Sequence, residues 1–236
     1  MTIYTSAIQL HEDQSVWASL FTSSTCVLQG ETLQNFRGRT LAVLSPRAGE
    51  ACFSLGAFLA HLSSGHLISQ DTSSQNTGNS GEHEDAAFAA RCRLTRHAVS
   101  DETGALACVE RIAAAIPAGQ RGILLSPLGI GPDAGRRALS SLVAEQLPRL
   151  HRNYDVYFYE ELPDASRILA RELTVQRLRR RVALSTRYAY PARWWCKREL
   201  LEFYSSRLSG YSRPARFNPA VLSPAFSHEA FWSVSR

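Results

Sequence analysis

Hydrophobic positions along this chain of 236 residues fall into short apolar runs separated by segments with helical spacing. Residues 41–44 and 122–126 are two such runs, and each leads into a Ser-Pro step. Short runs that end at turn residues are typical of strands buried on both faces of a parallel sheet. Residues 155–159 indicate a third strand, and the partial alternation in residues 92–99 indicates a fourth.

The segments between these runs predict helices. Apolar residues recur at helical spacing from residue 51, and this helix is expected to stop at Gly65, because glycine is a favourable C-cap. Helical patterns are also found at residues 105–116, 136–150 and 194–211, with shorter ones near 15–20 and 85–91. Strands that alternate with helices predict an α/β fold with a Rossmann-like, mostly parallel sheet and helices on both faces.

The predicted elements fit one domain. Their pattern begins near residue 39, so residues 1–38 are interpreted as an N-terminal extension and residues 39–236 as a single α/β domain. Residues 69–85 are polar and rich in Ser, Asn and Gly, which predicts a surface loop. This loop fits either a lid over a site or a disordered insertion.

Composition narrows the class of protein. The chain is 44% hydrophobic and 20% charged, as expected for a globular domain, and its mean hydropathy is −0.18. No apolar stretch approaches the ~20 residues that cross a bilayer, and the N-terminus lacks a signal-peptide pattern, so we expect a cytoplasmic protein without a membrane partner. The five cysteines are scattered and lack a CxxC pair, which indicates buried reduced thiols rather than disulfides or a structural zinc site.

The formal net charge of +5 comes from arginine, since Lys197 is the only lysine. A basic chain is compatible with nucleic acid, and residues 177–181 (RLRRR) form its densest basic run. This run has no interleaved aromatic residues that could stack on bases. A solvated surface is therefore the preferred interpretation, and we expect no nucleic-acid partner.

Five segments in order carry a resemblance to a known family. They are LAVLSPRAGEACFSLGAFLAHLSSGH at 41–66, PLGIGPDAGRR at 127–137, YEELPDA at 159–165, KRELLEFYSSR at 197–207 and HEAFW at 228–232. Together they resemble the LmbE/PIG-L family of zinc-dependent N-deacetylases, whose members carry (S/A)PHPDDE and PLGxGxHxDHR motifs at two strand-to-loop junctions. The resemblance implies the fold of that family over residues 39–232.

The resemblance also implies a chemistry. In that family a zinc ion assists hydrolysis of an N-acetyl group, typically on an amino sugar. A His and an Asp of the first motif and a His of the second bind the metal, another Asp acts as base, and a further His assists. Three protein ligands leave one coordination position open, and the metal lowers the pKa of its bound water to about 7.

This chain departs from the family at those positions. The first zinc histidine falls on Arg47, the zinc aspartate on Glu50 and the second zinc histidine on Arg136. The base falls on Gly49 and the assisting histidine on Asp133. Arginine stays protonated and has no lone pair for a metal, and two fixed cations repel Zn²⁺. We therefore predict no bound zinc, no other cofactor and no metal-ligating residues.

Arg47, Glu50, Asp133 and Arg136 remain the predicted ligand-binding residues, with Glu50 and Asp133 as the catalytic candidates. They follow parallel strands at the edge where open α/β sheets bind ligands. Two interpretations stay open: an ion-paired plug that fills the vacated cavity, or a pocket for a carboxylate, a phosphate or sugar hydroxyls.

The leading hypothesis is a catalytically degenerate N-deacetylase homologue. It would bind a small-molecule or glycan-type ligand, or support a partner enzyme in a glycan or secondary-metabolite pathway, as a monomer or an oligomer. One alternative is a metal-free acid–base enzyme in which Glu50 or Asp133 is the base. Another is a zinc-dependent deacetylase with displaced ligands, for which the nearest histidines in sequence are His61, His66, His97 and His228.

Aromatic residues cluster in the C-terminal part of the chain. Trp194, Trp195, Phe231 and Trp232 are expected to anchor that part by packing. A platform on which a sugar ring stacks is the alternative function for these residues.

Overall fold

The computed structural model describes residues 25–70, 80–162, 164–204 and 228–236. They form an eight-stranded sheet with helices on both faces. The strands are β1 (Thr25–Val27), β2 (Leu41–Ser45), β3 (Gly65–Gln70), β4 (Leu94–Val99), β5 (Gly122–Pro127), β6 (Tyr154–Tyr159), β7 (Leu184–Pro191) and β8 (His228–Val234).

The helices that alternate with these strands differ widely in length. They are α1 (Gly30–Gln34), α2 (Glu50–Leu62), α3 (Ser80–Arg91), α4 (Glu102–Ala113), α5 (Ala134–Glu145), α6 (Leu147–Leu150), α7 (Ile168–Arg179) and α8 (Trp194–Leu201), with 3-10 turns at Asp164–Ser166 and Glu202–Tyr204. Within the described parts of the chain, every helix falls short of the combined length and apolarity that a bilayer span requires.

The strand order across the sheet is β1-β7-β8-β6-β5-β2-β3-β4. Strand β8 pairs antiparallel with β6 and β7, whereas all the other neighbouring strands pair in parallel. The predicted α/β fold with a mostly parallel sheet covered on both faces is therefore confirmed. The specific LmbE/PIG-L fold stays a prediction.

Two apolar clusters, one on each face, hold the sheet and helices together. Alternate residues of β2 face opposite sides, so Val43 joins the cluster beneath α2, α3 and α8, and Leu44 joins the cluster beneath α4 to α7. Strands β2 and β5 are buried along their whole length. This explains why their sequences are continuous apolar runs rather than alternating patterns.

Residues 25–36 belong to this sheet and core, although the sequence pattern placed the start of the domain at residue 39. Strand β1 pairs in parallel with β7, and Leu28 and Phe36 are buried in the cluster beneath α2. With three residues, β1 is too short to give a periodic signal. The helix predicted near residues 15–20 lies outside the described residues.

The sequence predicted a helix up to Gly65 and did not predict strand β3, which begins at that residue. The helix expected to continue to Gly65 ends at Leu62, because Ser63 adopts a φ of 53° and its N–H closes the last turn on the Leu59 carbonyl at 3.0 Å. Gly65 then begins the strand in a close approach to Leu41, where an added Cβ would lie 2.9 Å from the Leu41 Cβ. The connection from α2 to β3 therefore consists of two residues, 63 and 64, rather than a longer loop.

The predicted loop over residues 69–85 is shorter than expected. Residues 69–70 belong to β3, and residues 80–85 already belong to α3. The remaining residues, 71–79, lie outside the described part of the chain, so the lid and insertion hypotheses stay untested.

The predicted helices at residues 105–116 and 136–150 are present with shifted ends. Both begin earlier because an aspartate caps them: Asp101 accepts the Gly104 N–H at 2.6 Å, and Asp133 accepts the Arg136 N–H at 2.8 Å. The second predicted helix is divided into α5 and α6 at Gln146.

Strands β7 and β8 form in a region where the sequence predicted no strand. Phe231 and Trp232 of β8 are buried, which confirms their predicted packing role. Trp195 is 63% exposed, so that prediction was wrong for it. The Trp194 side chain lies outside the described part.

Strand β8 also anchors α2 from inside the core. The Glu229 carboxylate accepts the backbone N–H groups of Ala57 at 3.0 Å and Phe58 at 2.8 Å, in the middle of α2. Lys197 lies 3.2 Å from the same carboxylate, and both side chains are buried. Burial raises the pKa of Glu229, and the Lys197 cation opposes that rise.

Candidate functional site

The residues predicted to bind a ligand lie between two neighbouring strands whose chain connections lead to opposite sides of the sheet. From β2 the chain passes through α2 to β3 on one side, and from β5 it passes through α5 and α6 to β6 on the other. Strands β2 and β5 are neighbours, so the loops that follow them diverge at their carboxyl ends. Open α/β sheets bind ligands in the crevice at such a switch point.

The loop after β2 is held by hydrogen bonds within itself and by a contact with Asp85 of α3. The Ser45 hydroxyl donates to the Arg47 carbonyl at 2.8 Å, and the Gly49 N–H donates to the Asp85 carboxylate at 2.8 Å. Gly49 has a φ of 83°, and an added Cβ would lie 3.0 Å from the Tyr204 ring. This position therefore favours glycine both in backbone conformation and in space.

The loop after β5 delivers Asp133 and Arg136 to the crevice. Gly129 and Gly131 take φ values of 86° and 88°, which allow the chain to turn sharply before α5. Asp133 then caps α5 through one carboxylate oxygen. Its other oxygen is free to face the loop after β2.

The four predicted ligand-binding residues are brought together as ion pairs. Arg136 Nε lies 2.6 Å from Glu50 Oε1, and Arg47 pairs with Asp133 across the two loops. Arg136 also pairs with Asp164, in the segment that follows β6. Both guanidinium groups therefore already have carboxylate partners.

The two pairs differ in depth. The Glu50 side chain is 2% exposed and that of Arg136 is 10% exposed, so this pair lies beneath the surface. The Arg47 side chain is 53% exposed and covers the more buried Asp133. The site consequently has a closed inner pair and an outer pair of which Arg47 is accessible.

Sequence reasoning missed two further carboxylates, Glu161 and Asp164. Glu161 is fully buried, and its Oε1 accepts the Gly129 N–H at 2.5 Å and the Ile130 N–H at 3.2 Å. Both residues lie in the YEELPDA segment, so the signal was present: that segment follows β6, the neighbour of β5. With them, the site contains four carboxyl groups and two guanidiniums.

Burial dominates the electrostatics of the inner carboxyl groups. It raises the pKa of Glu50, against the attraction of Arg136 and Arg47. It also raises the pKa of Glu161 well above the usual range, and the nearby Glu50 charge adds to that rise. Burial alone would lower the pKa of Arg136, but the attraction of Glu50 and the hydrogen bond to Asp164 raise it overall.

Zinc, which the resemblance implies here, does not fit this set of donors. Arg47 and Arg136 have no lone pair to offer, and Glu50 and Asp133 are engaged by guanidiniums. Among the described residues, no group of three or more His, Cys, Asp or Glu side chains is arranged to hold a metal ion.

The histidines considered as displaced ligands lie elsewhere in the fold. His66 Nδ1 and His97 Nε2 are 3.1 Å apart across β3 and β4, within the strands rather than in the loops that follow them. His61 lies in the last turn of α2, with its Nε2 2.7 Å from Arg37 Nη2. The His228 side chain lies outside the described part of the chain.

Comparisons with family models, curated proteins and solved structures give no match. The functional interpretation therefore depends on the five sequence motifs and on the geometry of the switch point.

Proposed function

We propose that this chain is a metal-free homologue of LmbE/PIG-L N-deacetylases that binds a sugar-like, hydroxyl-rich small molecule instead of hydrolysing an amide. The observation that carries the proposal is the position of Arg136. Its guanidinium lies between Glu50 and Asp164 at the carboxyl end of β5.

Arg136 supplies what a divalent ion would supply electrostatically, but not what it would supply chemically. A guanidinium neutralises nearby carboxylates through directed N–H donors. It has no open coordination position and does not lower the pKa of a bound water molecule. The activation of water, on which the family's hydrolysis depends, is therefore not supplied by Arg136.

The proposed ligand contacts are those of the outer pair. Arg47 offers exposed N–H donors, and the Asp133 oxygen that it covers can accept a hydroxyl group where Arg47 turns toward the ligand. This combination matches hydroxyl groups, which both accept and donate. Both guanidiniums are already paired with carboxylates, so neither is left unneutralised for the carboxylate or phosphate ligands that the sequence left open. A neutral polyhydroxy ligand therefore suits the site better than an anion.

The acid–base alternative has less support. Burial raises the pKa of Glu50, the direction that favours a general base, but its side chain is buried and paired with Arg136. A base must come within hydrogen-bond reach of the substrate proton, and Arg136 occupies that position beside Glu50.

Metal analysis tests the loss of metal chemistry. Wild-type protein purified with zinc and then desalted is expected to retain no stoichiometric metal. The Arg47→His/Arg136→His variant is expected to bind zinc, because two imidazoles and Glu50 supply three ligands. One zinc per wild-type chain, lost on Glu50→Ala, would overturn the proposal.

Calorimetric titration with N-acetylglucosamine tests the ligand class. Wild-type protein is expected to bind, and Arg47→Gln is expected to weaken binding about tenfold, as for the loss of one charge-assisted hydrogen bond. Arg91→Gln, which removes an exposed arginine paired with Glu199 on α8, is the matched control. Equal affinities of the two variants, or no binding by wild type, would contradict a sugar-type site at the outer pair.

A further inference from the structure

A second cluster of charge lies at the opposite edge of the sheet, where the parallel strands begin. Arg39 precedes β2 and Arg121 precedes β5, while Asp155 is the second residue of β6. Strand β8 runs antiparallel and ends at this edge, so Arg236 lies there too. Four charged residues that are distant in sequence thus meet in one place.

Three guanidinium groups converge on one carboxylate in this cluster. Arg39 Nη2 lies 2.5 Å from Asp155 Oδ2, while Arg121 Nε at 3.1 Å and Arg236 Nη2 at 3.0 Å approach the other oxygen, Oδ1. The side chains of the cluster therefore carry two more positive charges than negative ones.

Two of the guanidiniums are held in place by backbone carbonyls. Arg39 donates to the carbonyls of Arg121 and Gly122, both at 3.0 Å, and Arg121 donates to the Tyr154 carbonyl. The Nη1 groups of Arg39, Arg121 and Arg236 make no hydrogen bond to any residue that the structure describes. Rigid guanidiniums with spare N–H donors are a preorganised site for an oxyanion.

The electrostatics of the neighbours agree with an excess of positive charge. Burial lowers the pKa of Arg121, and the guanidiniums of Arg236 and Arg39 lower it further against the attraction of Asp155. Burial lowers the pKa of His151, in the turn before β6, and the nearby cations Arg121 and Arg236 lower it further. An anion bound at the cluster would relieve this repulsion.

The basic run at residues 177–181 extends the same edge. It ends just before β7, and the Ser235 N–H donates to the Ala183 carbonyl at 2.8 Å, next to Arg236. Arg181 is itself paired with Glu145 at 2.8 Å. The C-terminal end of the run therefore lies at the same edge of the sheet as Arg236, with Arg181 already neutralised.

We propose that Arg39, Arg121 and Arg236 form a binding site for a phosphate-bearing small molecule at the amino-terminal edge of the sheet. Phosphate oxygens match the fork geometry of guanidiniums, and a dianion balances the excess charge of the cluster. This site is independent of the proposed sugar-type site, from which it is separated by the length of the strands.

Calorimetric titration with inorganic pyrophosphate, at constant ionic strength in chloride buffer, tests the site. Arg236→Gln is expected to weaken binding about fivefold. The loss is modest because this side chain is the most exposed of the three, so solvent screens its charge. Asp155→Asn is expected to strengthen binding by a similar factor, because it removes the competing carboxylate. Arg91→Gln changes the net charge equally elsewhere and is expected to leave the affinity unchanged.

A titration of His151 by NMR gives a second readout that a change in stability would not mimic. Bound pyrophosphate is expected to raise the pKa of His151, because it offsets the charges of Arg121 and Arg236. The same affinity loss in Arg91→Gln and Arg236→Gln would overturn the proposal, because it would indicate unspecific attraction. Binding of a single-stranded oligonucleotide without binding of pyrophosphate would overturn it as well.

Discussion

Gly49 and Gly119 have almost the same backbone φ angle, 83° and 82°, but different surroundings. An added Cβ meets nothing within 4 Å at Gly119, whereas at Gly49 it would lie 3.0 Å from the Tyr204 ring. Gly119→Ala is expected to cost only the backbone term of a left-handed residue, about 1–2 kcal/mol. Gly49→Ala is expected to cost about 1–3 kcal/mol more through overpacking.

Urea denaturation of the two variants measures this difference. Equal losses in the free energy of unfolding would show that the Tyr204 ring moves aside without cost. In that case glycine at position 49 would be required by the backbone alone.

Arg136 and Arg47 provide a second comparison at the residue scale. Arg136→Ala leaves Glu50 and Asp164 without their shared cation, and we expect it to lower the free energy of unfolding by about 3–5 kcal/mol. Arg47→Ala removes an exposed partner and is expected to cost at most about 1 kcal/mol. Adding Glu50→Gln to Arg136→Ala should recover part of the loss, since the buried charge is then removed.

Denaturation midpoints of these variants at pH 7 test the assignment of the inner pair. A small effect of Arg136→Ala, similar to that of Arg47→Ala, would mean that Glu50 is accommodated without its cation. Additive effects of Arg136→Ala and Glu50→Gln would mean that the two side chains do not interact.

The sequence was sufficient to predict which four residues meet at the site but not how they pair. Arg47, Glu50, Asp133 and Arg136 were grouped because they stand at the motif positions that the family resemblance implies. The two motifs follow buried parallel strands, which end at one edge of the sheet. Which carboxylate each guanidinium binds depends on how the loops after β2 and β5 are placed relative to each other. No local sequence pattern encodes that placement. Asp164 was missed because the family motifs assign it no role, although its segment follows β6, the neighbour of β5.

At the scale of elements, the pair β3–β4 joins two histidines whose protonation is coupled. Burial lowers the pKa of His66, and neighbouring His97 lowers it further. Burial and Arg111 lower the pKa of His97. Because the unfolded chain binds protons at a higher pH than the folded chain, these groups reduce stability as the pH falls through about 6.5.

We therefore expect the His66→Gln/His97→Gln variant to lose less stability than wild type between pH 7.5 and 5.5. Urea denaturation at several pH values measures the two slopes. Parallel curves would contradict the prediction, whatever the absolute stability of the variant, because only the slope reports the difference in bound protons.

The strands illustrate which elements a sequence can reveal. Strands β2 and β5 were predicted because burial on both faces leaves continuous apolar runs. Strand β3 was missed because the helix reverses into it through Ser63, whose left-handed conformation has no clear sequence signal. Strand β7 was missed because its residues are mostly half-buried and include polar ones.

At the scale of the whole molecule, the cysteines report on global unfolding. Cys52, Cys92 and Cys108 are buried, whereas Cys26 and Cys196 are half-buried. Burial raises the pKa of Cys92 to about 12 and raises that of Cys52 well above the usual range, so neither forms the reactive thiolate at neutral pH.

Maleimide labelling followed by mass spectrometry is expected to modify at most Cys26 and Cys196 in the native protein. Labelling of the other three cysteines should require urea and should follow the unfolding transition. Fast modification of Cys52 without denaturant would show that the core around α2 opens locally.

The position of β8 sets the order in which a ribosome can complete this fold. Until residues 228–234 have been translated, the strand that pairs with both β6 and β7 is missing, and the two parts of the sheet each present an open edge. Glu229, which holds the middle of α2, is likewise missing until that moment. A nascent chain that stalls upstream of β8 would therefore be a substrate for chaperones and proteases, because the sheet closes only after β8 has been made.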